Sequence, residues 1–268
     1  MPQRKLTMRK EMSFYPKEQH KTPRLLKDAF FYYGKALKAA WLYIVLAVLA
    51  YNAYSVTHRF VMGRTGEISF LMAIALISLY FWSAALYATH GALQNRPTTV
   101  RECLGKTLQR FYKIVFVVVL YGLVFILTIF WLQTLNHLIG NASHMAMARW
   151  WLSLFLVGFP LLLFMLLFLL SIPLIIVNND SFLRALGRSA KMVWLSIFKT
   201  TLVLYAGIII LGYMVLPYTQ HTQWVIERQV KVIYDLVILV FLAPIVLNYA
   251  LLLVNNLGIF MAQRSHSR

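Results

Sequence analysis

The sequence predicts an all-α integral membrane protein with six transmembrane helices arranged as three hairpins, each preceded by a cytoplasmic amphipathic interfacial helix. Three observations predict this fold class: the lengths of the apolar runs, the placement of basic residues between them, and amphipathic segments before alternate runs. Sixty per cent of the 268 residues are hydrophobic and 13% are charged, whereas soluble domains are roughly half apolar and a quarter charged. Lipid is therefore expected to surround much of the chain.

The apolar runs have the length of membrane-crossing helices. Six runs without Asp, Glu, Lys, Arg or His contain 18, 21, 22, 28, 19 and 27 residues. They are residues 39–56, 68–88, 114–135, 150–177, 200–218 and 236–262. A helix needs ~20 apolar residues to cross a hydrocarbon layer ~30 Å thick. Only helices and closed β-barrels satisfy their backbone polar groups in lipid, and the runs lack the alternating pattern of a barrel. The runs are therefore expected to be helices.

Basic residues concentrate in alternate connections between the runs. The segments before the first run, after the second, after the fourth and after the last hold 21 Lys and Arg, whereas the other three loops hold five. The positive-inside rule therefore places both termini in the cytoplasm. Topology and contact with anionic lipid explain the net charge of +18, since basic residues near anionic lipid each gain ~1 kcal/mol. We expect no nucleic-acid partner.

Two basic connections share one sequence pattern. T-V-R-E-C-L-G-K-T at 99–107 aligns without a gap with S-F-L-R-A-L-G-R-S at 181–189, an offset of 82 residues. Apolar spacings of three, four and seven predict amphipathic helices whose cations reach lipid headgroups. Thr99 and Glu102 match a capping box at the first of these helices. The candidate headgroup ligands are Arg101, Lys106, Arg110, Lys113, Arg184, Arg188 and Lys191.

A fainter third copy opens near Thr22-Pro23, about 78 residues before the copy at 99–107. Leu25 and Ala29 lie on its apolar face. The predicted organisation is a basic cytoplasmic tail, a single six-span membrane domain and a cytoplasmic C-terminal tail. These segments are 1–21, 22–262 and 263–268, with repeat-like units at about 22–97, 98–179 and 180–262. Shared pressure on cytoplasmic linkers would give the same pattern as true internal repetition. Since mostly polar residues precede the first run, we expect no cleaved signal peptide.

Residues 171–194, S-I-P-L-I-I-V-N-N-D-S-F-L-R-A-L-G-R-S-A-K-M-V-W, carry a family resemblance. Pro173 near the end of the fourth run is followed by a short polar elbow and an amphipathic helix leading into the fifth run. This stretch resembles the YciC-like bacterial inner-membrane proteins and the related membrane domain attached to some glycerophosphodiesterases. The resemblance implies a helical protein of the bacterial inner membrane without an established catalytic role.

The sequence offers no catalytic constellation. Gly105-Lys106-Thr107 ends like a phosphate-binding loop, but Val100 stands where that loop needs its first glycine. No paired carboxylates, Ser-His-Asp order or metal-ligand spacing can be assigned. The single cysteine, Cys103, excludes an intramolecular disulfide. We therefore expect no enzyme activity, catalytic residue, cofactor or metal site.

The sixth run carries the best candidates for a polar intramembrane surface, which are Pro244, Asn248, Asn255 and Asn256. Asparagine hydrogen bonds between packed helices and a transporter site at a broken helix are the two alternatives. No run contains an ionisable residue, which counts against ion coupling. The leading interpretation is a non-enzymatic protein that binds anionic lipid or organises a membrane assembly. The alternative is a small transporter or channel for an uncharged or lipidic solute.

Overall fold

The computed structural model describes residues 14–57, 64–96, 98–139, 155, 159–195, 199–215 and 225–266. Its helices are α1 (Thr22–Phe31), α2 (Tyr33–Thr57), α3 (Arg64–Leu93), α4 (Val100–Ile139), α5 (Phe159–Phe168), α6 (Ser171–Asn178), α7 (Phe182–Leu195), α8 (Lys199–Val215) and α9 (Val225–His266). The described residues contain no β-strand. The predicted all-helical class is confirmed.

Within the described part of the chain, five segments are long and apolar enough to cross a membrane. They are Tyr33–Ala53, Ser69–Leu93, Val100–Trp131, Phe159–Asn178 and Val232–Gln263. These lengths and compositions are those of a multi-pass membrane protein. The predicted fifth span corresponds to α8, whose apolar stretch Thr201–Leu211 is shorter than a crossing requires, and residues 216–218 lie outside the described part. The sixth crossing and the three-hairpin arrangement stay predictions.

Contacts divide the chain into two compact units. The first unit is Met1–Gln109 with Ala206–Arg268, and the second is Arg110–Tyr205. In the first unit α2 packs against α3 and α9, and α1 packs against α9. Small side chains such as Ala40, Ala84 and Ala88 fill much of its core. Small residues let membrane helices approach closely. The resulting van der Waals packing holds the helices together in lipid, where no hydrophobic effect drives them to associate.

In the second unit α7 packs against α5 and α6. A turn separates α5 from α6, and Pro173 in the first turn of α6 has no N–H to donate. The Ser189 hydroxyl of α7 donates to the Leu167 carbonyl oxygen at 2.7 Å. The same hydroxyl accepts the Leu170 N–H at 3.2 Å. One side chain thus satisfies two backbone groups at the break.

The connection from α3 to α4 is fixed by two helix caps. Asn95 adopts a left-handed conformation, with φ of 57°. Its N–H donates to the Ala92 carbonyl and the Arg96 N–H to the Gly91 carbonyl, the hydrogen-bond pattern of a Schellman motif. The Glu102 N–H donates to Thr99 Oγ1 at 3.2 Å. This bond confirms the Thr99 half of the predicted capping box.

Candidate functional site

Three amphipathic segments are here called the basic helices: α1, residues 100–113 at the start of α4, and α7. The seven predicted headgroup ligands lie on the second and third of them. Each basic helix buries a pair of residues spaced by four, so that the pair lies on one helical face. The pairs, at most 2% exposed, are Leu25 and Ala29, Cys103 and Thr107, and Ala185 and Ser189. These are the positions that the sequence alignment places together. Internal repetition itself stays a prediction.

Four of the seven predicted headgroup ligands are exposed. They are Arg101, Lys106, Arg184 and Lys191, here called the surface cations. Within the described part of the chain, none of the four forms an ion pair or hydrogen bond. Their charge is therefore available to an external anion.

The other three predicted ligands make contacts inside the second unit. Arg110 donates to the Ile176 carbonyl oxygen in the last turn of α6. The Lys113 ammonium donates to the carbonyl oxygen and to Oδ1 of Asn179, at 3.3 and 3.0 Å. Cations satisfy the free carbonyls at a helix C-terminus and favour its dipole. These two side chains therefore hold α4 against the end of α6.

Arg188 is the third of these internal cations. Its guanidinium lies 2.7 Å from Asp180 Oδ2, and the Asp180 side chain is only 7% exposed. A nearly buried carboxylate is costly without a partner. Arg188 is thus required by the fold of the connection between α6 and α7.

The asparagines predicted as a polar intramembrane surface bind the backbone of the N-terminal segment. Asn248 Nδ2 donates to the Ala29 carbonyl at 3.1 Å and Asn255 Nδ2 to the Pro16 carbonyl at 3.0 Å. Asn256 accepts the His20 N–H at 2.6 Å and donates to its carbonyl at 3.1 Å. Pro244 is buried within α9. Packing through asparagine hydrogen bonds, the first of the two alternatives, accounts for these contacts.

Residues 14–20, the described end of the predicted tail, also contact α3. The Phe14 N–H donates to the Leu93 carbonyl at 2.8 Å. The Tyr15 hydroxyl lies 2.7 Å from His90 Nδ1, and burial raises the pKa of that hydroxyl. Tyr15 therefore stays protonated at neutral pH and is able to donate this hydrogen bond. This part of the tail is packed onto the first unit.

Asp235 is a residue that the sequence interpretation missed. It is fully buried and lies inside the candidate span Val232–Gln263. The predicted run began at residue 236, because runs were ended at any charge. The predicted run 236–262 itself contains no such residue, but the apolar segment of α9 extends beyond that run and includes Asp235. An ionisable residue within a membrane segment is a functional-site candidate.

Comparison of the chain with protein-family models, with curated proteins and with solved structures gives no match. The resemblance of residues 171–194 to the YciC-like proteins therefore stays a prediction. Fold and surface define the class: an all-helical, multi-pass membrane protein with exposed cations on amphipathic helices.

Proposed function

We propose that the protein is a non-enzymatic, multi-pass component of a bacterial inner membrane that binds anionic phospholipid through its basic helices. In this proposal six spans put both termini and the basic helices on the cytoplasmic side, as the alternation of basic residues along the chain predicts. The observation that carries the proposal is the exposure of Arg101, Lys106, Arg184 and Lys191, which have no ion-pair or hydrogen-bond partner among the described residues.

Large apolar side chains accompany the surface cations. Leu108 is 64% exposed on α4, and on α7 Leu183 is 75% exposed and Trp194 64% exposed. A helix that lies in the membrane interface inserts such side chains among the acyl chains, while its Lys and Arg reach the headgroups. An aqueous partner would leave this apolar surface uncovered. The combination favours a lipid surface over a soluble acidic partner.

The test replaces the four surface cations with Gln and measures bound phosphatidylglycerol and cardiolipin by native mass spectrometry. Because each cation near anionic lipid contributes ~1 kcal/mol, retention is expected to fall at least about tenfold. The arginines and lysines with internal contacts are left in place, since their loss would disturb the fold.

A matched control removes the same charge from the opposite predicted side, through Arg59, Arg64, Arg149 and Arg228 to Gln. This control is expected to retain lipid as the wild type does. Equal lipid retention by the wild type and the surface-cation variant would reject the proposed function. Equal losses in both variants would show that net charge, rather than the basic helices, holds the lipid.

The alternative is a small transporter or channel for an uncharged or lipidic solute. Buried Asp235 in a candidate span favours it, because such carboxylates bind and release protons in coupled carriers. The backbone contacts of Asn248, Asn255 and Asn256 count against it, since they leave these amides less able to bind a solute. Proton flux into liposomes that wild-type protein supports and Asp235→Asn abolishes would establish coupling. Flux equal to that of empty liposomes would remove this support.

A further inference from the structure

A cavity of about 640 Å³ opens in the first unit beside the start of α2 and the end of α3. Lys35 and Lys38 of α2 and Arg96 after α3 line it, together with Trp41 and Val100. Its volume lies within the ~300–1,000 Å³ of small-molecule sites.

Local sequence explains why a cavity forms here. Lys35 and Lys38 are three residues apart on α2 and therefore lie on neighbouring turns of one face. Across the cavity α3 presents only Ala88 and Ala92, whose short side chains leave space. The left-handed Asn95 turns the chain so that the following residues return past α3.

Gly91 permits this close return. A Cβ added at Gly91 would lie 2.7 Å from Thr98 Cγ2 and 3.2 Å from the Arg96 carbonyl oxygen. The backbone of the cavity rim therefore depends on the absence of a side chain at this position. The rim is a built feature of the chain rather than a gap between loosely placed helices.

The cavity carries an excess of positive charge. Among the residues that the structure describes, its lining contains three cations and no Asp or Glu. Lys35 Nζ lies 3.2 Å from the centre of the Phe14 ring, which fixes the ammonium without neutralising it. Arg96 is 3.7 Å from Glu102 at an exposed position, where an ion pair is worth little. Lys38 has no ion-pair partner among the described residues.

We propose that this cavity binds the phosphodiester headgroup of an anionic phospholipid. The phosphate meets Lys35, Lys38 and Arg96, and the glycerol and upper acyl chains cover the exposed rings and methyls of Trp41 and Val100. Tryptophan favours this depth of a membrane. A free phosphate ion would pair with the cations but leave the apolar wall in water. The site rests on the proposed function and adds to it one discrete, stoichiometric lipid.

The test is a phosphatidylglycerol titration of the full-length protein followed by native mass spectrometry. Wild-type protein is expected to show one tight binding step ahead of weaker ones. Lys38→Gln with Arg96→Gln is expected to weaken the first step about 30-fold, from two cations near an anionic lipid. Lys38→Arg keeps the charge and is expected to keep that step. Lys17→Gln with Lys21→Gln, a matched charge loss at exposed residues outside the cavity, is expected to leave it unchanged.

Further measurements separate the cavity site from the proposed function. An unchanged first step in the Lys38/Arg96 variant overturns the cavity site, while a loss of only the weaker steps in the surface-cation variant would still support the proposed function. If the Lys38/Arg96 variant loses the first step while the surface-cation variant retains lipid as the wild type does, the cavity site is supported and the proposed role of the surface cations is rejected. Competition by millimolar inorganic phosphate or glycerol phosphate, or equal binding of phosphatidylcholine, rejects an anionic lipid as the occupant. Single Lys38→Gln, with unchanged thermal unfolding, provides the readout if the double variant misfolds.

Discussion

At the scale of single residues, cations three positions apart on α7 have different roles. Arg188 pairs with nearly buried Asp180 at 2.7 Å, whereas Lys191 is exposed. Arg188→Gln leaves the carboxylate without its cation and is expected to lower the free energy of unfolding by about 1–3 kcal/mol. The measurement is denaturant unfolding of the purified protein in detergent.

Lys191→Gln is the matched control for this prediction. It removes the same charge from the same helix at an exposed site, so the expected change in unfolding free energy is within about 0.5 kcal/mol. Lipid retention is expected to fall more in Lys191→Gln than in Arg188→Gln, because Lys191 is a surface cation. Equal stability of the two variants would contradict the internal role assigned to Arg188.

At the scale of elements, Ser189 and Thr107 occupy aligned positions of two basic helices but differ in bonding. Ser189 donates to the Leu167 carbonyl and accepts the Leu170 N–H at the α5–α6 break. Ser189→Ala removes both bonds, and we expect a loss of about 1–3 kcal/mol of unfolding free energy. Thermal and denaturant unfolding measure it, and Ser189→Thr restores the hydroxyl.

The control at the aligned position is Thr107→Val. Thr107 Oγ1 is buried without a hydrogen-bond partner among the described residues. Replacing an unsatisfied hydroxyl with a methyl group of similar shape is nearly neutral or stabilising. Thr107→Val conserves the side-chain volume, so a loss as large as that at Ser189→Ala would contradict the unsatisfied state of the Thr107 hydroxyl.

These elements also show what the sequence can predict. The spacing of Leu25 and Ala29 predicted a helix with one buried face, because that periodicity is local. The partners of Arg110 and Lys113 depend on how α6 approaches α4, which local spacing does not encode. Arg110 and Lys113 were therefore predicted to bind lipid headgroups, as the surface cations were.

Two further features depended on tertiary structure. Asp235 was excluded from a span because a single charge ended the apolar run, and its burial results from tertiary packing, which the run does not encode. Arg96 drew no attention in the sequence because its place at the cavity follows from the left-handed Asn95 before it. A helix-ending asparagine beside an arginine was the available signal.

At the scale of the whole molecule, the number of crossings decides where the two ends of the chain lie. Five crossing segments leave the ends on opposite sides of the membrane, whereas a sixth crossing by α8 returns them to one side. The 21 basic residues in alternate connections predict that this shared side is the cytoplasm. A labelling experiment on single cysteines can separate these arrangements.

Replacing Cys103, the single native cysteine, with Ala gives the background for single cysteines at Lys21, Gln94 and Gln263, all exposed, and at Ser143 in a predicted outer loop. A membrane-impermeant maleimide applied to intact spheroplasts is expected to label only Ser143→Cys; after permeabilisation, it labels all four.

Labelling of Gln263→Cys but not Lys21→Cys in intact spheroplasts would mean that α8 does not cross. Labelling of Lys21→Cys and Gln94→Cys, with Ser143→Cys protected, would reverse the orientation and place the basic helices against the outer leaflet. Because α8 has fewer apolar residues than the other spans, the Gln263→Cys result is the one that decides whether the six-span topology holds.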